Sequence, residues 1–168
     1  CIPPGCHAKK AIGSPCAAGN QCSSGSCADG VCCDNECDGP CEACVASKKG
    51  EGQDGLCGPV PAGIDPDNDC PMTGPTVCGN DGECDGAGAC RKYAAGVECF
   101  AATCDHEKAQ FTPPGECDGQ SACIHGITQD CAPYSCDETG CLLACSSDAE
   151  CAPAAYCDAP SCVDKKPA

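Results

Sequence analysis

The sequence predicts a small disulfide-rich fold: an elongated series of tandem knots with short β-hairpins, little regular secondary structure and no large hydrophobic core. Two observations support this fold class. Of the 168 residues, 26 are Cys, 21 Gly and 15 Pro, whereas Leu, Ile, Val and Phe together number 16. The net charge is −16. A chain so charged and so poor in large apolar side chains stays disordered unless covalent cross-links hold it.

The cysteines favour disulfides over metal. Their number is even and permits about 13 bridges, a density typical of secreted scaffolds. No Cys-x-Cys motif occurs, Cys-x-x-Cys occurs once, at Cys41 and Cys44, and there are three His. We therefore expect an oxidising compartment, extracellular or at the cell surface. No run of about 20 apolar residues occurs, so we expect no membrane span.

Composition and cysteine spacing predict seven segments along the chain. They are an N-terminal segment (1–13), a first Cys-rich knot region (14–56), a Pro/Gly-rich connector (57–77), repeat unit A (78–110), repeat unit B (111–141), a C-terminal knot (142–164) and a tail (165–168). Within repeat unit A we expect a helical turn around 101–109.

The first and last knots have similar cysteine spacing. Steps of 6, 5 and 5 follow Cys16, and steps of 6, 6 and 5 follow Cys145. Four cysteines allow three connectivities, which the sequence does not decide. We favour pairing first to third and second to fourth: Cys16–Cys27, Cys22–Cys32, Cys145–Cys157 and Cys151–Cys162. Asp29-Gly30 predicts a two-residue hairpin turn within the first knot.

Repeat units A and B share a five-residue motif. Gly82-Glu83-Cys84-Asp85-Gly86 recurs at 115–119, and the cysteines that follow keep nearly the same steps. A fixed period with fixed spacing predicts a duplicated structural unit.

Several stretches carry a family resemblance. "ADGVCCDNECDGPCEAC", the "CDG" repeats, "CAPYSC" and "CSSDAECAPAAYC" resemble the Cys-rich regions of myxobacterial and related deltaproteobacterial surface proteins. The short knots are similar to whey-acidic and Dickkopf-like modules. The resemblance covers roughly residues 14–164 and implies a secreted or surface-attached protein built of tandem modules. It implies no catalytic residues.

Calcium is the first ligand that the sequence suggests. Asp65, Asp67 and Asp69 alternate as in a calcium loop, and Asp81 and Glu83 lie close to a cysteine. Calcium prefers six to eight oxygen ligands. The Gly at the sixth position of an EF-hand loop and the Glu at the twelfth are missing. Acidic turns that keep the surface soluble are the alternative, and we favour it.

Other chemistry has weaker support. Cys1, Cys6 and His7 resemble a lengthened c-type haem attachment, which is a remote alternative because the usual spacing is Cys-x-x-Cys-His. With three His and no Gly-x-Ser-x-Gly we expect no enzyme. The chain has nine basic and 25 acidic residues, so it repels phosphate, and we exclude nucleic acid as a partner. We expect the five aromatic residues to cover disulfides: Tyr93, Phe100, Phe111, Tyr134 and Tyr156.

The function that these features favour is an extracellular structural module, a component of a stalk, matrix or filament, with end-to-end assembly through divalent ions as one hypothesis. The alternative is a binding module that displays loops to an extracellular protein or glycan, as an adhesin or protease inhibitor does. The segment 91–93, which holds the only Arg of the chain, is the candidate inhibitory loop.

Overall fold

The computed structural model describes residues 8–166, which form two compact units. Unit 1 comprises 8–74 and 79–92, and unit 2 comprises 75–78 and 93–166. These units divide the chain differently from the expected segments. The expected connector, 57–77, belongs to unit 1 as far as residue 74. It is cross-linked to the rest of that unit through Cys57 and Cys70, and its Val60 is buried. Repeat unit A is split between the two units.

Unit 1 is built of three antiparallel strand pairs: β1–β2, β3–β4 and β5–β6. It also has a 3-10 turn (Gly19–Gln21) and one helical turn, α1 (Ala46–Lys49). The strands are β1 (Ser26–Ala28), β2 (Val31–Cys33), β3 (Glu42–Ala43), β4 (Gly58–Pro59), β5 (Asn80–Cys84) and β6 (Cys90–Lys92).

Local sequence explains the turns of unit 1. Asp29 and Gly30 connect β1 to β2 with φ of 52° and 78°, the left-handed pair of a type I′ turn, so the predicted hairpin turn is confirmed. The Asp54 carboxylate accepts a hydrogen bond from the Ala46 amide at the start of α1 (2.8 Å). The helix ends at Gly50, in the left-handed conformation that favours Gly.

Unit 2 contains two three-stranded antiparallel sheets, ordered β11–β10–β7 and β12–β9–β8, and the hairpin β13–β14. Two 3-10 turns lie at Pro75–Val77 and Asp148–Glu150. The strands are β7 (Glu98–Phe100), β8 (Thr103–Asp105), β9 (Gln110–Thr112), β10 (Gly115–Cys117), β11 (Cys123–Ile124), β12 (Gln129–Asp130), β13 (Ala155–Asp158) and β14 (Ser161–Asp164).

The expected helical turn at 101–109 was wrong. Strands β8 and β9 pair there, and the Asp105 carboxylate accepts hydrogen bonds from the amides of Glu107 and Lys108 (both 3.1 Å) in the turn that joins them. An Asp that accepts bonds from amides two and three residues ahead favours a turn over a helix.

Bridged cysteines dominate the buried clusters of both units. One cluster of unit 1 groups Val60 and Ala43 with three bridged cysteines. The clusters of unit 2 are centred on Cys99, on Phe111 and on Ala155, again packed among disulfides. The small disulfide-rich fold without a large core is confirmed. Residues 8–166 contain no helix long and apolar enough to cross a membrane.

Candidate functional site

The disulfides are the most extensive chemical feature of the molecule. Every cysteine in residues 8–166 is bridged, and there are twelve bridges. Cys1, Cys6 and His7, the residues of the remote haem alternative, lie outside the described residues.

The twelve bridges form six crossed pairs. Each pair uses four cysteines, joined first to third and second to fourth, and the four bridges named from the sequence make up two of these pairs. The six crossed pairs are 16–27 with 22–32, 33–44 with 37–57, 41–84 with 70–90, 78–117 with 99–123, 104–136 with 131–141, and 145–157 with 151–162.

A common geometry explains the crossing. In five crossed pairs the third and fourth cysteines lie directly opposite each other across an antiparallel bridge, as Cys27 and Cys32 do. In the sixth, Ala43 pairs with Gly58, which places Cys44 and Cys57 one step farther along the same two chain segments. Opposed residues project to the same face of a hairpin. Two sulfurs therefore leave each hairpin side by side, and each reaches back to an earlier cysteine.

The crossed bridges bring sulfurs close together. There are four groups of three cysteines, and within each group the three sulfurs lie within 4.8 Å of one another. In one of these groups, the Sγ atoms of Cys41 and Cys70, which belong to different bridges, are 3.2 Å apart. Such groups have the size of a metal site. Because each sulfur is already bonded to another, none is the free thiolate that zinc binds.

An Asp follows the third cysteine in four of these hairpins, and in three of them its carboxylate closes the loop. The Asp85 carboxylate accepts hydrogen bonds from the amides of Ala87 (2.7 Å) and Ala89 (3.1 Å), and these bonds hold the pKa of Asp85 below its ordinary value. Amide hydrogen bonds lower the pKa of Asp118 in the same way. At Asp137 the Thr139 hydroxyl is the main cause of a lowered pKa, and the Thr139 amide adds to it. The repeated Cys-Asp motif is thus a loop-closing device.

Four of the five carboxylates predicted to bind calcium have other partners. Asp65 accepts hydrogen bonds from the amides of Asp69 (3.1 Å) and Cys70 (2.9 Å). Asp67 is ion-paired with Lys48. No cluster of three ligand atoms within 4.8 Å in residues 8–166 includes Asp65, Asp67 or Asp69. Calcium binding stays a prediction.

Arg91 joins the other two carboxylates of that prediction. Its guanidinium is ion-paired with Asp81 (2.5 Å) and with Glu83 across the β5–β6 hairpin. The hydrogen bond to Asp81 is the main cause of a raised pKa of Arg91, and the interaction with Glu83 adds to it. The expected inhibitory loop at 91–93 therefore begins in strand β6 with its Arg already engaged.

Lys48 forms a second ion cluster, with Asp29 and Asp67. Burial alone would raise the pKa of Asp29, but hydrogen bonds from Lys48 and from the Cys44 amide (2.6 Å) outweigh it, and the pKa is lowered. Burial alone would lower the pKa of Lys48, and its two carboxylate partners raise it instead. The cluster ties the β1–β2 turn to the helical turn.

His106 has a contact that the sequence did not predict. Its Nδ1 lies 3.0 Å from the Ser135 hydroxyl oxygen and 3.5 Å from the sulfur of Cys104. His106 is exposed, whereas Ser135 is buried. His106 and Ser135 are far apart along the chain, so no local pattern signalled this pair.

No family model, curated protein or solved structure matches this chain. The resemblance to deltaproteobacterial surface proteins stays a prediction.

Proposed function

We propose that this chain is a non-enzymatic, extracellular structural module, a component of a stalk, matrix or filament, that resists proteolysis through crossed disulfides. The observation that supports the proposal is the distribution of the bridges. Between Cys16 and Cys162 the cysteines are spread evenly, and the largest gap between consecutive cysteines is that from Cys44 to Cys57, which recurs elsewhere but is never exceeded. All of these cysteines are bridged. Disulfides persist in oxidising compartments, which favours an extracellular location.

Crossing adds protection that the number of bridges alone does not give. Opening one hairpin requires its two strands to separate, yet each strand is tied to a different, earlier segment of the chain. Local opening is the route by which proteases reach a folded backbone. Since the third and fourth cysteines of each crossed pair face each other in a hairpin, we expect such openings to be short and rare.

The surface fits a role outside the cell. A charge of −16 keeps the molecule soluble despite exposed apolar side chains, among them Ile127 and Leu143. It also opposes contact between copies, so end-to-end assembly requires counterions between them. Divalent cations on the acidic turns are our hypothesis for those counterions. The resemblance to surface proteins of myxobacteria supports the same location.

A protease digest combined with sedimentation tests the proposal. The unreduced chain should survive a broad-specificity protease at elevated temperature, whereas the reduced and alkylated chain, the matched control, should be degraded. Sedimentation in calcium should show oligomers that grow with protein concentration and dissociate in chelator. Cleavage of the unreduced chain would refute the protective role. Monomers at every concentration, with and without calcium, would refute the assembly.

A further inference from the structure

One disulfide differs from the others in the charge that lies beside it. Within residues 8–166, His106 brings the only side-chain nitrogen into polar contact with a bridged sulfur, that of Cys104, which is joined to Cys136. Every other polar contact of a bridged sulfur in these residues is with a carboxylate, a backbone carbonyl or a second sulfur. An imidazole becomes cationic when it takes up a proton, whereas carboxylate and carbonyl oxygens present negative charge.

Ser135 holds the imidazole ring beside this bridge. Its hydroxyl oxygen lies 3.0 Å from Nδ1 of His106, and Ser135 is 2% exposed, so the contact is anchored in the interior of unit 2. Because Ser135 directly precedes Cys136, the ring is tied to both ends of the bridge. A protonated ring carries a hydrogen on each nitrogen, so Nδ1 then presents an N–H to the serine oxygen and the cysteine sulfur.

The acidic neighbours of His106 do not take the place of the ring at the sulfur. The Asp105 carboxylate is ion-paired with Lys108 at 2.6 Å, so its charge is compensated within the turn. Glu107 is exposed to solvent, where water and salt screen its charge. Within residues 8–166, no polar contact joins either carboxylate to a sulfur of the Cys104–Cys136 bridge.

The two sulfurs of the bridge differ in access. Cys136 is 2% exposed, whereas Cys104 is half-buried in β8. A dissolved thiol therefore reaches Cys104 and not Cys136. The crossed partner bridge, Cys131–Cys141, and the pairing of β8 with β9 do not depend on the Cys104–Cys136 bond. This part of unit 2 thus stays held together when that bond opens.

We propose that the Cys104–Cys136 bridge is a thiol-exchange site, at which an external thiol becomes covalently attached to Cys104 while the other bridges stay closed. The thiol loses its proton to the solvent and attacks the Cys104 sulfur as a thiolate. The new sulfur–sulfur bond forms as the Cys104–Cys136 bond breaks, and Cys136 leaves with the electron pair. Cys136 then takes up a proton, so one disulfide replaces another and no oxidant is consumed. This site is separate from the structural role proposed above.

The structure stabilises both the reaction and its product. In the transition state the negative charge of the thiolate is shared among three sulfurs, and the His106 imidazolium lies beside the central one, Cys104. After the exchange, the Cys136 thiol donates a hydrogen bond to the Gln110 carbonyl, whose oxygen is 3.3 Å from its sulfur. The reaction therefore replaces a buried bridge sulfur with a buried thiol that has a partner.

The Cys37–Cys57 bridge is the internal standard for this inference. Both of its cysteines are half-buried, so access alone favours exchange there over exchange at Cys104. The Glu42 carboxylate lies 3.7 Å from the Cys57 sulfur and repels an incoming thiolate. The order in which the two bridges react therefore separates the effect of local charge from that of access.

Differential alkylation of the full, unreduced chain tests this inference. The probe is mercaptoethanol, a thiol without a second charged group, at a concentration too low to open several bridges in one molecule. Free thiols are blocked with one isotopic form of N-ethylmaleimide. The chain is then unfolded, reduced and labelled with another isotopic form, and fragment mass spectra locate each label.

We expect the first form to label Cys136 at least about tenfold faster than Cys37 or Cys57, while Cys104 is protected as the mixed disulfide. Earlier labelling at any other bridge would overturn the proposal, because access or strain would then select the site. Labelling of Cys104 in place of Cys136 would overturn it too, since the thiol would have attacked the buried sulfur.

Variants separate the charge of His106 from its shape. His106→Gln should slow the labelling of Cys136 at least about fivefold, because the positive charge beside the sulfur is lost, and His106→Lys should restore most of the rate. His125→Gln, which removes the other imidazole of unit 2, is the matched control and should leave the rate unchanged. Both histidines are exposed, so the variants should keep the native amide spectrum. Equal rates in the two Gln variants, or no recovery with Lys, would refute the role of the imidazole.

Discussion

Removal of the Cys41–Cys84 bridge probes how unit 1 is stabilised. This bridge spans 43 residues, the largest separation among the twelve, and both cysteines are fully buried. The Cys22–Cys32 bridge is its matched control, because it lies in the same unit and is equally buried but spans only 10 residues. Each bridge is removed by replacing both cysteines with Ala.

The expected losses follow from the entropy that each cross-link removes from the unfolded chain. The chain-entropy relation gives about 4 kcal/mol for 43 residues and about 2.7 kcal/mol for 10 residues. The Cys37–Cys57 and Cys70–Cys90 bridges remain and shorten the route between residues 41 and 84, so the larger value is an upper bound. Lost packing is similar in the two variants. The Cys41/Cys84 variant should therefore lose more stability, by no more than about 1.3 kcal/mol.

Guanidinium unfolding without reductant, followed by circular dichroism, measures this difference. Intact mass with and without alkylation first establishes that the remaining bridges have formed. If the control variant loses as much free energy of unfolding as the Cys41/Cys84 variant, or more, then loop entropy does not rank the bridges of this protein, and local packing of the sulfurs decides their contribution instead.

Three further predictions concern single side chains. Lys49→Met should lower the free energy of unfolding by about 1.5–3 kcal/mol in guanidinium, because the buried ammonium donates hydrogen bonds to two loop carbonyls; an unchanged midpoint would contradict this. Gly55→Ala should destabilise unit 1, because its Cβ would lie 2.2 Å from a backbone nitrogen, whereas Gly25→Ala, also at positive φ but in open space, should cost less; equal melting temperatures would count against the clash. The pKa of Asp85 lies below its ordinary 3.8, so the stability that this carboxylate gives its loop is complete above pH 3.8 and is lost as the pH falls through the depressed pKa. The amide proton shift of Ala89 should then titrate with a midpoint below 3.8, and a midpoint at or above that value would argue against the bond.

Local disulfide patterns could be predicted from the sequence. In the first and last knots, the short steps between the third and fourth cysteines suit a tight hairpin, and every cysteine has its partner within 12 residues along the chain. Asp29-Gly30 specified its turn for the same local reason. The five-residue motif shared by repeat units A and B also corresponds to a repeated element, since Cys84 and Cys117 are each the third cysteine of a crossed pair.

Long-range pairings could not be predicted, and neither could the surfaces that depend on them. In these two crossed pairs the first two cysteines are far apart along the chain, with Cys41 followed by Cys70 and Cys78 by Cys99, and other cysteines lie between them. Loop-closure entropy changes little over such lengths, so length does not select the partner. The crossed pairs also interleave along the chain, which is why repeat unit A is divided between the units.

Phe100 shows the same limit at a single residue. It was expected to cover a disulfide, but its side chain is 40% exposed, although Cys99 beside it in β7 is buried. Which side of β7 faces inward depends on the long-range partner of Cys99, so the residues around Phe100 alone did not indicate its exposure.

The crossed bridges also determine what happens when the chain is pulled from its ends. From Cys16 to Cys157, a covalent path crosses six bridges and follows the backbone only through 27–33, 41–44, 78–84, 117–131 and 141–145. This path stretches to roughly 150 Å, whereas the whole backbone between the same two residues would stretch to about 500 Å. A molecule under tension therefore behaves as a short tether until a disulfide is reduced, and each reduction that opens the path releases stored length. Reductant would lengthen such a tether in discrete steps without detaching it.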